Sequence, residues 1–186
     1  MLDSSHPSIY NSAPYLGVGA SNDEPFLVKL DPTLVGPASL VYSTFLGGGS
    51  TTGTGGGFCT GVAVDAAGVS YVAGETSAQG IPYQYSSAPQ QAPQATPVTA
   101  DALFIANQGT TDVLHMQVSA DGSTLRYSTF IGGLMSDRSY GLAVDPSGGV
   151  ALSGLTYSTN FPLQNPAQTW PGNTGHMNAF VMKMRR

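Results

Sequence analysis

The chain has 186 residues, 41% hydrophobic and only 9% charged, against roughly 25% charged in an average soluble domain. That apolar share is enough for one or two packed units and excludes wholesale disorder. A net charge of −5 with no basic cluster beyond Arg185-Arg186 excludes a reader of nucleic-acid phosphate; the single Cys excludes an internal disulfide framework, and no apolar run reaches the ~20 residues of a membrane-spanning helix.

Met1 to Pro7 lacks the basic start and apolar stretch of a secretory signal, which leaves two readings: the protein stays inside the cell, or the chain is a piece of a longer exported one with an added Met. The charge-poor, Gly/Ser/Thr-rich composition nevertheless favours an extracellular β protein. Residues 1–23 are therefore expected to be an extension, or the end of a preceding unit, in a longer exported chain. Phe26-Leu27-Val28-Lys29-Leu30 then reads as a short strand, and Tyr42-Ser43-Thr44-Phe45-Leu46-Gly47-Gly48 as the next. The Gly-rich run from Gly47 to Gly57 has neither the G-x-G-x-x-G spacing nor a following Lys, so it reads as a loop rather than a phosphate cradle.

Gly61-Val62-Ala63-Val64-Asp65 alternates apolar side chains between two faces, Asp65-Ala66-Ala67-Gly68 turns the chain, and Val69 to Gly74 returns it. A long connector rich in Pro, Gln, Ala and Ser runs from Ser77 to about Thr111 and carries Tyr83 and Tyr85. Leu114 to Val118 and Tyr127 to Gly133 are again strand-like. Gly141 to Asp145, the turn Asp145-Pro146-Ser147-Gly148 and Gly149 to Gly154 restate the earlier hairpin. In that turn an Asp side chain can accept from the backbone, Pro presets φ, and Gly suits the fourth place. A second connector, Tyr157 to Asn178, leads to a last strand, Ala179 to Met184. No stretch of ten or more residues free of Gly and Pro keeps a helical apolar spacing.

These phrases are internal repeats. Tyr42 to Gly48 and Tyr127 to Gly133 agree at six of seven positions, 85 residues apart; 61–76 and 141–156 agree at 7 of 16, 80 residues apart. Two phrases in one order at nearly one offset point to a solenoid or propeller built from hairpins. With the Val-Ala-Val-Asp strand as A, its return as B, the Phe-Val-x-Lys strand as C and the Tyr-Ser-Thr-Phe strand as D, the chain reads C-D, A-B-C-D, A-B-C.

The phrases resemble the β-propeller repeat family named for its presumed seven blades, the SBBP repeats. The matching segments are Phe26 to Asp31, Leu40 to Gly48, Val62 to Thr76, Leu125 to Gly133, Leu142 to Thr156, Asn160-Phe161-Pro162 and Ala179 to Lys183. The resemblance implies an all-β fold of four-stranded antiparallel blades around an axis, in an exported or cell-surface protein, with no shared catalytic set. About two and a quarter blades of a partial β-propeller are expected: strands C-D over 24–48, a full blade over 61–133, and A-B-C over 140–186. Gln117 replaces the strand-C Lys of the middle copy, and the family's Asn after the hairpin Gly is Val69 and Gly149. Incomplete blades leave open edges, which call for further blades, other copies of the chain, or a sandwich packing.

No cofactor, metal set or catalytic constellation is expected. Asp65 and Asp145, with Gly68 and Gly148, read as turn-capping pairs, since one acid per turn falls short of the 6–8 oxygens that calcium takes. Cys59 reads as a small buried hydrophobe just before a strand, sharing no signature with His6, His115 or His176. His115, between Leu114 and Met116, is expected to point off the core face. Lys29 and Lys183 share a repeat position and read as structural, their stems covering apolar surface. Tyr83, Tyr85, Tyr157 and Trp170 in the connectors are the candidate contacts for a glycan or protein partner, with Phe161-Pro162 and Trp170-Pro171 also suited to pinning loops. Asp101, Asp112 and Asp137 could meet, but nothing singles them out as a hydrolytic pair. The expected role is a non-catalytic binding or scaffold module. The alternatives are a self-assembling subunit that completes blades between chains and, less favoured, a fragment of a carbohydrate-active enzyme.

Overall fold

A computed structural model describes residues 25–46, 56–78, 80–82, 96–170 and 175–185. Among them the strands are β1 (Phe26–Leu30), β2 (Leu40–Phe45), β3 (Gly57–Val64), β4 (Ser70–Thr76), β5 (Gly80–Pro82), β6 (Thr96–Val98), β7 (Asp112–Val118), β8 (Leu125–Ile131), β9 (Asp137–Val144), β10 (Val150–Thr156) and β11 (Asn178–Met184). One short 3-10 turn, Gly36–Ser39, joins β1 to β2. The fold is all-β, as the repeat reading requires. Its antiparallel sheets run β1-β2, β3-β4-β7-β8 and β11-β10-β9, and β5 pairs with β6 in parallel inside the first long connector.

The two hairpins have one construction. Asp65 Oδ1 accepts from the Ala67 and Val69 N–H groups at 2.9 Å each, and Asp145 Oδ1 from Ser147 at 2.9 Å and Gly149 at 2.8 Å. Gly68 and Gly148 sit at φ +81° and +82°, the left-handed region that only Gly enters without strain. The ladders start earlier than the sequence suggested, at Gly57 and Asp137 rather than at Gly61 and Gly141. Each outer strand carries a bulge there. In the first, Cys59 faces Gly74 and Gly61 faces Ala73, leaving Thr60 over; in the second, Ser139 faces Gly154 and Gly141 faces Ser153, leaving Tyr140 over. The opposing Gly is obligatory in both, because a Cβ on Gly74 would collide with the Phe58 carbonyl and one on Gly154 with the Arg138 carbonyl.

The three sheets pack face to face through two clusters. Leu27 and Tyr42 of the first sheet meet Val72, Leu114, Met116, Val118 and Leu125 of the middle one. The other face of the middle sheet, with Tyr71, Ala73, Val113 and Ile131, meets Leu152 and Phe180, with Met182 and Met184 packed alongside. In the repeat alignment Val72, Leu114, Met116 and Val118 correspond to Leu152, Phe180, Met182 and Met184. Equivalent residues therefore fill equivalent layers. β7 is buried at all seven positions, whereas β1 and β11, in the outer sheets, bury one face at most.

Polar bonds fix the spacing between layers. Tyr42 lies over Gly122, at φ +74°, where a Cβ would strike its ring, and the Tyr42 and Ser70 hydroxyls are 2.9 Å apart. The Ser139 hydroxyl donates to the Gly74 carbonyl at 3.1 Å and meets that of Thr60 at 2.7 Å, tying β9 across the middle sheet's bulge.

Candidate functional site

Of the four connector aromatics, Tyr83 and Tyr85 lie outside the described residues, while Tyr157 and Trp170 are half-buried. The Tyr157 N–H donates to the Ser136 carbonyl at 3.0 Å, so its loop is held against the start of β9. Phe161 is buried, its ring 4.6 Å from that of Phe180. It pins its loop to the third sheet and offers little surface to a partner.

The turn residues behave as caps. The second carboxyl oxygen of Asp65 accepts from the Tyr71 hydroxyl at 3.0 Å, and that of Asp145 pairs with Lys183 Nζ at 2.7 Å. Bonds from Lys183, Ser147 and Gly149 hold the Asp145 carboxyl well below the usual range. Lys29 reaches the Ala120 carbonyl at 2.7 Å. Both repeat-position lysines thus serve hairpin turns. His6 lies outside the described residues, and His176 is exposed.

Two sequence expectations are corrected. Cys59 is exposed and lies within β3 rather than buried ahead of it, because the strand begins at Gly57 and its bulge turns the residue to the outer surface. Its thiol lines a small apolar pocket with Phe58, Leu114 and Met116, and desolvation there pushes it up to about 11, so it stays protonated at neutral pH. His115 does point away from Leu114 and Met116, yet it is wholly buried. The face opposite the first cluster is itself roofed by the third sheet. Its ring lies between Tyr71, 6.4 Å away, and Tyr127, 5.9 Å away.

His115 Nδ1–H donates to the Val72 carbonyl at 3.0 Å, leaving Nε2 to accept from the Gln117 amide at 3.3 Å. Burial lowers its pKa to about 4, against the raising effect of the Val72 bond. Gln117, in the place of the repeat's Lys, is thereby drawn inward. It lines a cleft of about 210 Å³ with Asp101, Tyr127, Met184 and Arg185, between the ends of the middle and third sheets. That is below the roughly 300–1,000 Å³ of a drug-sized pocket, so the cleft suits a side chain or a very small polar molecule.

The arrangement least visible in the sequence is a pair of carboxylates. Asp112 opens β7 and Asp137 opens β9, and both are fully buried. Gly132 passes between them: a Cβ there would lie 2.5 Å from Asp112 Oδ1 and 2.7 Å from Asp137 Oδ2. Those oxygens are therefore no farther apart than the sum of the two distances. Asp112 Oδ2 accepts from the Gln108 N–H at 2.7 Å. Asp137 Oδ2 accepts from the Gly133 N–H at 2.7 Å and from the Ser158 hydroxyl at 2.8 Å, which in turn accepts from the Met135 N–H at 2.9 Å. Asn160 Oδ1 completes the cradle by accepting from the Leu134 N–H at 2.9 Å. Burial first, and the Asp137 charge as well, raise Asp112 to about 6 against the lowering bond from Gln108. Asp101 stays apart, at the cleft.

Of the three acids the sequence left undistinguished, two meet, sealed where no sugar ring reaches them. The available signal was positional: both open a strand before an apolar alternation, whereas the capping acids Asp65 and Asp145 follow one. Neither a protein-family model nor a curated protein matches the chain.

Proposed function

We propose that the chain is a section of β-propeller serving as a non-catalytic binding or scaffold module of an exported or cell-surface protein, with its stack of sheets continued beyond both ends. One observation carries the reading: each end of the stack exposes the repeat-equivalent of a face that is buried inside it. Phe26, Val28 and Leu30, 66%, 41% and 60% exposed, correspond to Leu114, Met116 and Val118 of the first cluster. At the far end Val181, 83% exposed, corresponds to buried His115. Val62 and Val64 of β3, also exposed, share the face of buried Val72, where the two-stranded first sheet has no strand to cover them. Solvent-facing apolar surface of this extent marks a contact site, and the repeat supplies its shape.

The occupant is a further blade. A longer chain provides it in cis; a second copy provides it in trans, apposing its Val181 face to the Phe26 face of the first. The latter is a heterologous contact that closes into a ring or runs on. The connector loops, with Tyr157 and Trp170, remain the surface for a glycan or protein ligand.

Light scattering on the isolated chain tests the reading. Mass is expected to rise with concentration up to ~100 μM, and Val28→Glu combined with Val181→Glu to restore a monomer with unchanged Tm. A wild-type chain that stays monomeric and binds no apolar dye overturns it.

A further inference from the structure

We propose that Asp112 and Asp137 together hold a hard divalent cation of the calcium class, which clamps the start of β7 to the start of β9. The proposal stands apart from the binding or scaffold reading, since the site lies inside the stack. The first ground is their shared posture. Each carboxylate is anchored by hydrogen bonds through Oδ2, to Gln108 N–H in one case and to Gly133 N–H and Ser158 Oγ in the other. Each leaves its Oδ1 buried with no hydrogen-bond partner. Carboxylates held at one oxygen by a surrounding shell, with the other presented bare, have the form of metal ligands.

The second ground is charge. Both side chains have zero exposure, and among the described residues the ion pairs go elsewhere, Arg138 to Glu75 and Lys183 to Asp145. Buried carboxylates so close together require a counter-charge, and buried unpartnered oxygens require a partner. A single cation supplies both.

The donor chemistry selects the class. Besides the two carboxylates, the side chains beside the pair are the Ser158 hydroxyl and the Asn160 amide, without thiol or imidazole, which suits calcium or magnesium rather than zinc or copper. Among the described residues no third acidic, His or Cys side chain joins the pair, so the remaining coordination falls to neutral oxygens of the loop between β8 and β9. Calcium, with its irregular shells and longer bonds, tolerates that better than octahedral magnesium does.

The position gives the cation a structural purpose. Asp112 belongs to the middle sheet and Asp137 to the third, and the Asp137 N–H already donates to the Thr111 carbonyl at 2.7 Å. The cation would fasten the two sheets at the point where the chain crosses between them.

The test uses the full chain, stripped with chelator and dialysed, then titrated with calcium chloride against magnesium chloride at matched ionic strength. The wild type is expected to gain about 5 °C in Tm at ~1 mM calcium, with less from magnesium. Asp112→Asn and Asp137→Asn should each lose the gain; without calcium they should melt no lower than the wild type, since each removes one buried negative charge. Equilibrium dialysis of the wild type, which needs no variant to fold, should find one calcium per chain. No bound calcium, or the same Tm gain in wild type and variants, overturns the proposal. So does a wild-type Tm that responds to acid but not to calcium, because a shared proton would then be the counter-charge.

Discussion

Protonating His115 should loosen the fold, and the size of the effect follows from its surroundings. In the neutral ring both nitrogens are satisfied, Nδ1–H by the Val72 carbonyl and Nε2 by the Gln117 amide. A second ring proton would confront the Gln117 N–H and place a charge in a site with no exposure. The folded pKa of about 4 lies below the ordinary 6.5, so the unfolded chain binds the proton more readily across that window. Stability is then complete above pH 6.5 and falls as the pH drops towards 4. At 1.36 kcal/mol per unit, the loss reaches about 2 kcal/mol at pH 5 and about 3 kcal/mol at pH 4.

Asp112, raised to about 6, works in the opposite sense over the same range, so the wild-type profile alone mixes the two. The informative quantity is the difference from His115→Asn, whose amide can keep the Val72 bond but does not titrate. Urea unfolding of both proteins from pH 7.5 to 4 should show the wild type losing about 2 kcal/mol relative to the variant by pH 5, roughly 1 M in midpoint for a slope near 2 kcal/mol per M. A difference that stays constant with pH would mean that His115 is solvated, and the roof over β7 would be wrong.

Gly154→Ala should cost about 3 kcal/mol or more, because the new Cβ meets the Arg138 carbonyl and the Phe180 ring; Gly36→Ala, at φ +63° with open space around it, should cost only about 1 kcal/mol. Equal losses in chemical denaturation would refute the bulge geometry. Leu152→Ala, at a position 1% exposed in the second cluster, should cost about 2–5 kcal/mol, and a loss below about 1 kcal/mol would remove it from the core. Cys59, despite its exposure, should react with a thiol reagent at pH 8 about a hundredfold more slowly than free cysteine, since its pKa of about 11 leaves little thiolate; a rate like that of free cysteine would contradict the apolar pocket beside it.

The hairpins were legible because they are local, whereas the parallel pair β5-β6 inside the first connector was not. Asp65 with Gly68 and Asp145 with Gly148 set the turns, and alternation set the faces. The bulges at Thr60 and Tyr140 were not legible, since the extra residue is fixed by the Gly opposite it across the ladder; that is why Cys59 was misplaced. His115 was misjudged for a related reason. Alternation tells which residues share a face, but whether the second face is wet depends on a sheet formed some 20 to 70 residues later. The carboxylate pair was hard to see in the repeat itself, because the position equivalent to Asp137 holds Gly57 in the other copy, and the positions equivalent to Asp112 hold Glu24 in the first copy and Asn178 in the last, so no other copy carries both acids. Its members meet only where one unit hands over to the next.

Native-state hydrogen exchange examines the stacking of like sheets most directly. The amides of β4 and β7, paired on both sides and covered on both faces, should exchange only through global opening, while those of β3 and β11 at the sheet edges should exchange orders of magnitude faster. Equal protection across these four strands, or faster exchange at 112–118 than at 178–184, would contradict a middle sheet enclosed by its two neighbours.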